Sequence, residues 1–378
     1  MGRFGKLLTG LAIIVFSCGL IGIAAMYVWP SFGGRVSGER LTRAQGSPQF
    51  RNGKFDNVIP QSPRTSDMTW DYAKRQFMGR EVRRPPGTIP VVPMDPARLT
   101  RAPAPGLRAV WFGHASVYLE LDGRRLMVDP VLSDYASPIS GIGPKRMHAA
   151  PLALEALPMI DAVMISHDHY DHLDMATIKR LAATGSRFIL PLGIGAHLER
   201  WGVPAGQITE LDWWQSADVA GLKITSTPVR HYSGRGLRDG NATLWSSWVM
   251  AGAKQRVYFS GDTGFGDHFN TIGDRLGPFD LSLMKIGAYG PGQTWIDIHM
   301  DPEDAVRAHM SLRASRMLPV HWGTFNLAFH AWDEPIVRAV AAARAANVEL
   351  VTPRIGEVVE VGAPFVSTAW WEAVMAPR

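Results

Sequence analysis

From residue 107 onward, short apolar runs recur: LRAVWFG, SVYLEL, RRLMVDP, IDAVMIS, SRFILP, GLKITSTPV, LWSSWVMA, QRVYFSGD, FDLSLMKI, SRMLPVHWG and VELVTP. Their length, their β-branched and aromatic content and the turn residues that bound them predict strands. Between the later runs the spacing becomes helical and predicts helices over Met175–Ala183, Ile194–Trp201, Phe269–Leu276, Pro302–Leu312 and Pro335–Ala346. Strand pairs come first and strand–helix units later, so a layered α/β domain is expected over residues 106–362, with helices covering sheet faces and a short tail, 363–378, behind it.

The region in front is different. Residues 30–105 are rich in Pro, Gly and Arg, as in VRRPPGTIPVVPMDPARLTRAPAP, and read as an extended arm wrapping the later domain, with a short helix near Asp71–Met78. Before it, Leu7–Trp29 contains no charged residue and places Trp29 where an interfacial anchor would sit. A helical span takes roughly 20 apolar residues, so a single-pass membrane anchor is expected. A cleaved signal segment is the alternative, favoured by Ala24 and Ala25 but opposed by the length of the run. Arg3 and Lys6 precede the span and Arg35, Arg40 and Arg43 follow it, which leaves the side of the catalytic domain open.

Composition sharpens this only in part. The single cysteine, Cys18, excludes an intramolecular disulfide framework and leaves any metal site to histidine and carboxylate. Residues 1–105 hold 15 Lys/Arg against 6 Asp/Glu, a balance of +9, which leaves 24 against 28, or −4, for the rest. The basic arm suits either an anionic lipid or phosphate-bearing partner or a solvated linker. The net acidic domain argues against nucleic acid as a partner.

The densest chemistry lies in MISHDHYDHLD, Met164–Asp174, directly after an apolar run. Along an extended segment side chains alternate, so His167, His169 and Asp171 would point one way while His172 swings round at the turn. Neutral imidazoles and carboxylates are the ligands that zinc and similar divalent ions take when thiolates are absent. Three more candidates close other apolar runs: His231, Asp262 in SGDTG, and His321 in PVHWG.

This ordered set resembles the metallo-β-lactamase superfamily, whose αββα sandwich holds two metal ions at its sheet edges. The resemblance implies one ion, expected to be zinc, on His167, His169 and His231, and a second on Asp171, His172 and His321, with Asp262 bridging. Within that superfamily the chain resembles the N-acylphosphatidylethanolamine-hydrolysing phospholipases D. The stretches WFGHASV, SPISGIGPKR, LPMIDAVMISHDHYDHLD, LPLGIGAHLERWG, ITELDWW, GPFDLSLMKIGAYGP, HMDPEDAVRAH and HWGTFNLA carry that likeness. It implies a membrane-associated phosphodiesterase releasing phosphatidate from a glycerophospholipid. Asp262, Asp171 and His299 would be catalytic, and Lys145 and Arg146 of GPKR and Tyr289 of IGAY would bind substrate. The apolar N-terminal run is a departure from that family's pattern.

Asp129 and His114 follow predicted strand ends and could orient metal ligands, though turn chemistry accounts for both. Trp213, Trp214, Trp245 and Trp248 could line a lipid groove or fill the core. His148, His197, His268, His309 and His330 read as ordinary. Two other functions fit the same residues: a hydrolase of a soluble substrate, lactonase-like or another phosphodiesterase, and a non-catalytic membrane-anchored binding protein. The last should lack a ligand, and all seven are present. Oligomeric state is not legible.

Overall fold

The computed structural model describes residues 13, 16, 17, 28–62, 66–103, 105–290 and 292–375. The expected span Leu7–Trp29 lies outside them except at Ile13, Phe16, Ser17, Val28 and Trp29. Among the described residues no helix is long and apolar enough to cross a membrane.

A small hairpin, β1 (Phe50–Arg51) and β2 (Lys54–Phe55), lies within the arm. The first large sheet then contains β3 (Leu107–Gly113), β4 (Ser116–Leu121), β5 (Arg124–Val128), β6 (Ala162–Met164), β7 (Phe188–Pro191) and β8 (Ile208–Leu211). The second contains β9 (Ser216–Val219), β10 (Leu222–Thr227), β11 (Ser247–Ala251), β12 (Arg256–Phe259), β13 (Phe279–Lys285), β14 (Ala314–Val320) and β15 (Glu349–Leu350). The chain then returns, and β16 (Val358–Glu360) pairs antiparallel with β3. The spatial orders are β16-β3-β4-β5-β6-β7-β8 and β15-β14-β13-β12-β11-β10-β9. In each sheet the hairpin strands are antiparallel and the strands linked through helices are parallel, from β5 to β8 and from β12 to β15.

Alternation explains the layering. In β3, Leu107, Ala109 and Trp111 join the core shared by both sheets, while Val110 and Phe112 face the other way into a second cluster. That second cluster is closed by the helix Met175–Ala183, whose Ile178 and Leu181 are buried beside Phe188 and Leu190. Burying a side chain of this size stabilises by about 1.5–3 kcal/mol. Asp174 caps this helix by accepting from Ala176 N. The second sheet is covered by helices His268–Leu276, Pro302–Ser311 and Glu334–Ala345, which contribute Phe269, Ile272, Ala305, Val306, Ile336 and Ala339 to the shared core. The architecture is therefore an αββα sandwich.

The flanking segments are also part of this packing. Helix Gly38–Gln45 of the arm is held by Arg40, whose guanidinium lies 2.7 Å from Glu199 and 2.8 Å from the buried carboxylate of Glu210. Phe55 and Ala44 pack with Trp213 and Trp245. Basic charge in the arm is thus partly spent on internal ion pairs. Behind residue 362, helix Trp370–Met375 buries Trp370, Trp371 and Val374 in the main core, with Trp370 stacked 5.2 Å from Trp322.

Candidate metal centre

Strand direction decides where chemistry collects. The pairings bring the C-terminal ends of β3, β5 and β6 to the same edge as those of β10, β12 and β14, and the chain leaves those ends through His114, Asp129, His167–His172, His231, Asp262 and His321. All seven residues predicted as ligands converge there.

On the first sheet, Asp129 organises the loop after β6. Its Oδ1 accepts from Ser166 N at 2.6 Å and its Oδ2 accepts from Ser166 Oγ at 2.5 Å. The same Oδ2 lies 2.6 Å from His172 Nδ1. Leu173 N donates to His169 O at 2.8 Å and closes the turn that swings His172 inward. Asp168 points the opposite way, accepting from Gly234 N and Thr243 Oγ1 and lying 3.3 Å from His197 Nε2. His114, in the β3–β4 turn with φ 50°, places Nε2 2.9 Å from Asp171 Oδ2 and its ring 3.9 Å from that of His321.

On the second sheet, His231 turns Nδ1 to Ile298 O at 3.1 Å, and its backbone N–H donates to Asn57 Oδ1 while its carbonyl accepts from Asn57 Nδ2. An arm residue therefore sets the orientation of a site histidine. Asp262 follows β12 and is buried. Its Oδ1 lies 3.0 Å from His321 Nε2, and its Oδ2 lies 3.4 Å from His172 Nε2, 3.6 Å from His299 Nδ1 and 3.9 Å from His231 Nε2.

Two donor groups result. His167 Nε2 and His231 Nε2 lie 2.8 and 3.3 Å from His169 Nδ1. Burial lowers the pKa of all three, that of His231 to about 3. Three imidazoles kept neutral by burial thus converge with their nitrogens 2.8 and 3.3 Å apart, a donor set that a divalent cation can take. The second group is His114, Asp171, His172 and His321, with donor atoms within 4.8 Å of one another. Burial opposes charge on His172, but Asp262, Asp171 and Asp129 outweigh it and raise its pKa well above the ordinary value. Among the described residues the buried Asp262 Oδ1 has no hydrogen-bond partner, with His321 Nε2 3.0 Å away beside it. Orphaned carboxylate oxygen and converging imidazoles fit divalent metal ions bound through nitrogen and oxygen.

The model of the β-lactamase superfamily domain matches residues 124–322, which span the loop after β6 and the strand ends carrying Asp129, His231, Asp262 and His321. The chain belongs to the metallo-β-lactamase superfamily. It is a metal-dependent hydrolase of that superfamily. An uncharacterised protein of Mycobacterium tuberculosis is 45% identical over 338 residues, covering 87% of this chain and 88% of that protein. The N-acyl-phosphatidylethanolamine-hydrolyzing phospholipase D 1 of Caenorhabditis elegans is 42% identical over 232 residues, 59% of this chain and 65% of that protein. Among solved structures, Igni18, a metallo hydrolase of Ignicoccus hospitalis, superposes with a TM-score of 0.50 at 24% identity, covering 67% of this chain and 97% of that one.

Around this metallo-β-lactamase centre the other expected residues divide. His299 is at the site, its buried Nδ1 without a hydrogen-bond partner among the described residues and 3.6 Å from Asp262 Oδ2. Arg146 is buried, lies over Phe325, and donates to Val131 O and to Ser133 O, so its charge braces the turn after β5. Lys145 is exposed, with Nζ 5.9 Å from the Tyr135 ring centroid. The Tyr289 hydroxyl donates to Glu334 at 2.7 Å. Trp213, Trp245 and Trp248 are buried, and Trp248 Nε1 donates to Ile165 O at the end of β6, so these rings scaffold the core. Sequence reasoning missed Lys285, which is buried and donates to Gly287 O at 2.5 Å and Met300 O at 3.5 Å. Burial lowers its pKa to about 8 against the pull of Asp262 and Asp301. It ties the end of β13 to the segment carrying His299. A lysine inside FDLSLMKI, where every neighbour reads as core, was the available signal.

Proposed function

We propose that this chain is a membrane-associated phosphodiesterase of the phospholipase D type that hydrolyses a glycerophospholipid, N-acylphosphatidylethanolamine or one like it, to phosphatidate and the headgroup alcohol or N-acylethanolamine. In this reading Leu7–Trp29 is the anchor, the membrane supplies the substrate, and nucleic acid is not a partner. His167, His169 and His231 hold one divalent ion, and Asp171, His172 and His321 hold the other, with Asp262 between them. The position of Asp262 carries the reading, since its carboxylate lies between the groups, 3.0 and 3.4 Å from His321 and His172 of one and 3.9 Å from His231 of the other. When bound, two such ions, expected to be zinc, supply an activated water and neutralise charge on phosphoryl oxygens.

The chain's own residues do the rest. Burial disfavours charge on Asp171 and Asp262, but His172 and His321 outweigh it, so both carboxyls titrate well below the usual range and stay ionised. His114 holds Asp171 in place. His299, kept neutral chiefly by burial with Lys285 adding repulsion, places Nδ1 3.6 Å from Asp262, where an N–H at that nitrogen would donate to a phosphoryl oxygen of the substrate. The 42% identity to the Caenorhabditis elegans enzyme supports the choice of substrate class. Hydrolysis of a phospholipid extract in oxygen-18 water tests it. Label is expected in the phosphate of phosphatidate, whereas label in a fatty-acid or ring-opened carboxylate would make the chain an acyl hydrolase.

A further inference from the structure

Large apolar side chains exposed singly are normal on any protein, but a contiguous set marks a surface that something covers. Five such residues, Val28, Trp29, Ile139, Ile142 and Leu237, are 41 to 78% exposed and belong to three segments that hydrogen bonds draw together. Ser31 Oγ donates to Pro138 O at 2.5 Å, joining the segment after Val28 and Trp29 to the loop of Ile139 and Ile142. The buried guanidinium of Arg235 donates to Ser31 O through Nε at 3.1 Å and Nη2 at 2.8 Å, joining both to the turn that carries Leu237. Through Nη1 the same guanidinium donates to Asp168 O and Leu173 O, which bracket His169–His172. Tyr170 closes the set, its hydroxyl donating to Arg235 O at 2.7 Å. One arginine thus links the apolar rim to the metal loop.

We propose that these three segments form a membrane-docking rim that seats the metal centre at the surface of the bilayer receiving Leu7–Trp29. The inference rests on the phospholipase reading above and gives it a geometry. What favours a bilayer as occupant is continuity: the apolar run ends at Trp29, two residues from Ser31, and two residues of extended chain reach at most about 7 Å. The rim therefore lies at the depth where Trp29 would anchor at the lipid–water interface. Exposed Arg35, Lys145 and Arg238 lie on or beside the same three segments and complement anionic headgroups. Met159 is equally apolar and 50% exposed but precedes β6, at the opposite edge of the sheet, and should stay in water.

The test uses the full chain with Cys18→Ser and a single new cysteine, Ile142→Cys, Leu237→Cys or Met159→Cys, carrying an environment-sensitive fluorophore. Each protein is reconstituted into vesicles of phosphatidylethanolamine and phosphatidylglycerol with and without brominated acyl chains. Loss of fluorescence to brominated lipid is expected at positions 142 and 237 and not at 159. If 142 and 237 behave as 159 does, the rim is in water and the proposal is overturned. Quenching is read without turnover, so a quenched rim on a chain that fails to cleave phospholipid would sink the phospholipase reading and leave the docking surface standing.

Discussion

The first sheet delivers His167, His169, Asp171 and His172 from one loop, whereas the second delivers His231, Asp262 and His321 from three strand ends far apart in the chain. The loop closes its own turn at His169 O, and is held from either side by Asp129 at His172 and by Gly234 N and Thr243 Oγ1 at Asp168. The ligands of the second edge share no such turn. Their geometry depends on β10, β12 and β14 being paired correctly, and on Asn57 reaching from the arm to hold His231. Half of the centre is therefore a property of a motif and half a property of the whole sandwich, and Asp262 is where the halves meet.

Breaking the junction should have the largest effect. Asp262→Ala is expected to lower kcat/KM by on the order of 10³-fold or more, because metal-supplied charge stabilisation amounts to several kcal/mol and about 1.4 kcal/mol is a factor of ten. Steady-state kinetics on a dispersed phospholipid checks this, and a loss below tenfold would remove Asp262 from the centre. Asp129→Asn comes next. It leaves the ligands in place but weakens the grip on His172, and a cost of roughly 10–100-fold in metal affinity is expected, measurable by competition with a chromophoric chelator.

The two groups should also separate by pH. The raised pKa of His172 means that an ion at the second group must displace a proton in the neutral range, whereas His167, His169 and His231, already neutral through burial, release none. Binding that displaces a proton weakens as pH falls. Dialysis steps from about pH 8 to about pH 5 should therefore strip the ion of the second group first, and simultaneous loss of both would contradict the distinction. The smallest effect is expected from removing residues 1–27. This keeps Val28 O, Pro30 O and Ser31 O as acceptors for Arg200, Trp201 and Arg235, so thermal unfolding and metal content should stay unchanged. Removing residues 1–34 instead strands the buried Arg235 donors, at about 1–3 kcal/mol for such a loss.

The same contrast governs what could be read from the chain. β3 and β4 and helix Met175–Ala183 were legible to the residue, because apolar periodicity and turn residues coincide there. β8 escaped because Thr209 and Glu210 make ITEL look like a loop. Glu210 is buried only because Gly193 N, Gly195 N and Arg40 satisfy it. β9 escaped as a polar edge strand, and helix Gly38–Gln45 because it buries only Ala44 and is held by ion pairs that no periodicity records. At the site, HDHYDH announced itself by density, and His231, Asp262 and His321 by closing apolar runs. The orienting partners His114 and Asp129 left a weaker mark at strand ends. Asn57 left none, since its role exists only once the arm has folded back onto His231 and Trp245.

One carboxylate, Asp262, is expected to join the two half-sites, and metal content measures that directly. Protein purified with zinc and analysed by inductively coupled plasma mass spectrometry should carry two equivalents per chain, falling to one or fewer in Asp262→Ala while the fold is retained by circular dichroism. A single equivalent in fully active protein, or two equivalents held unchanged without Asp262, would contradict it.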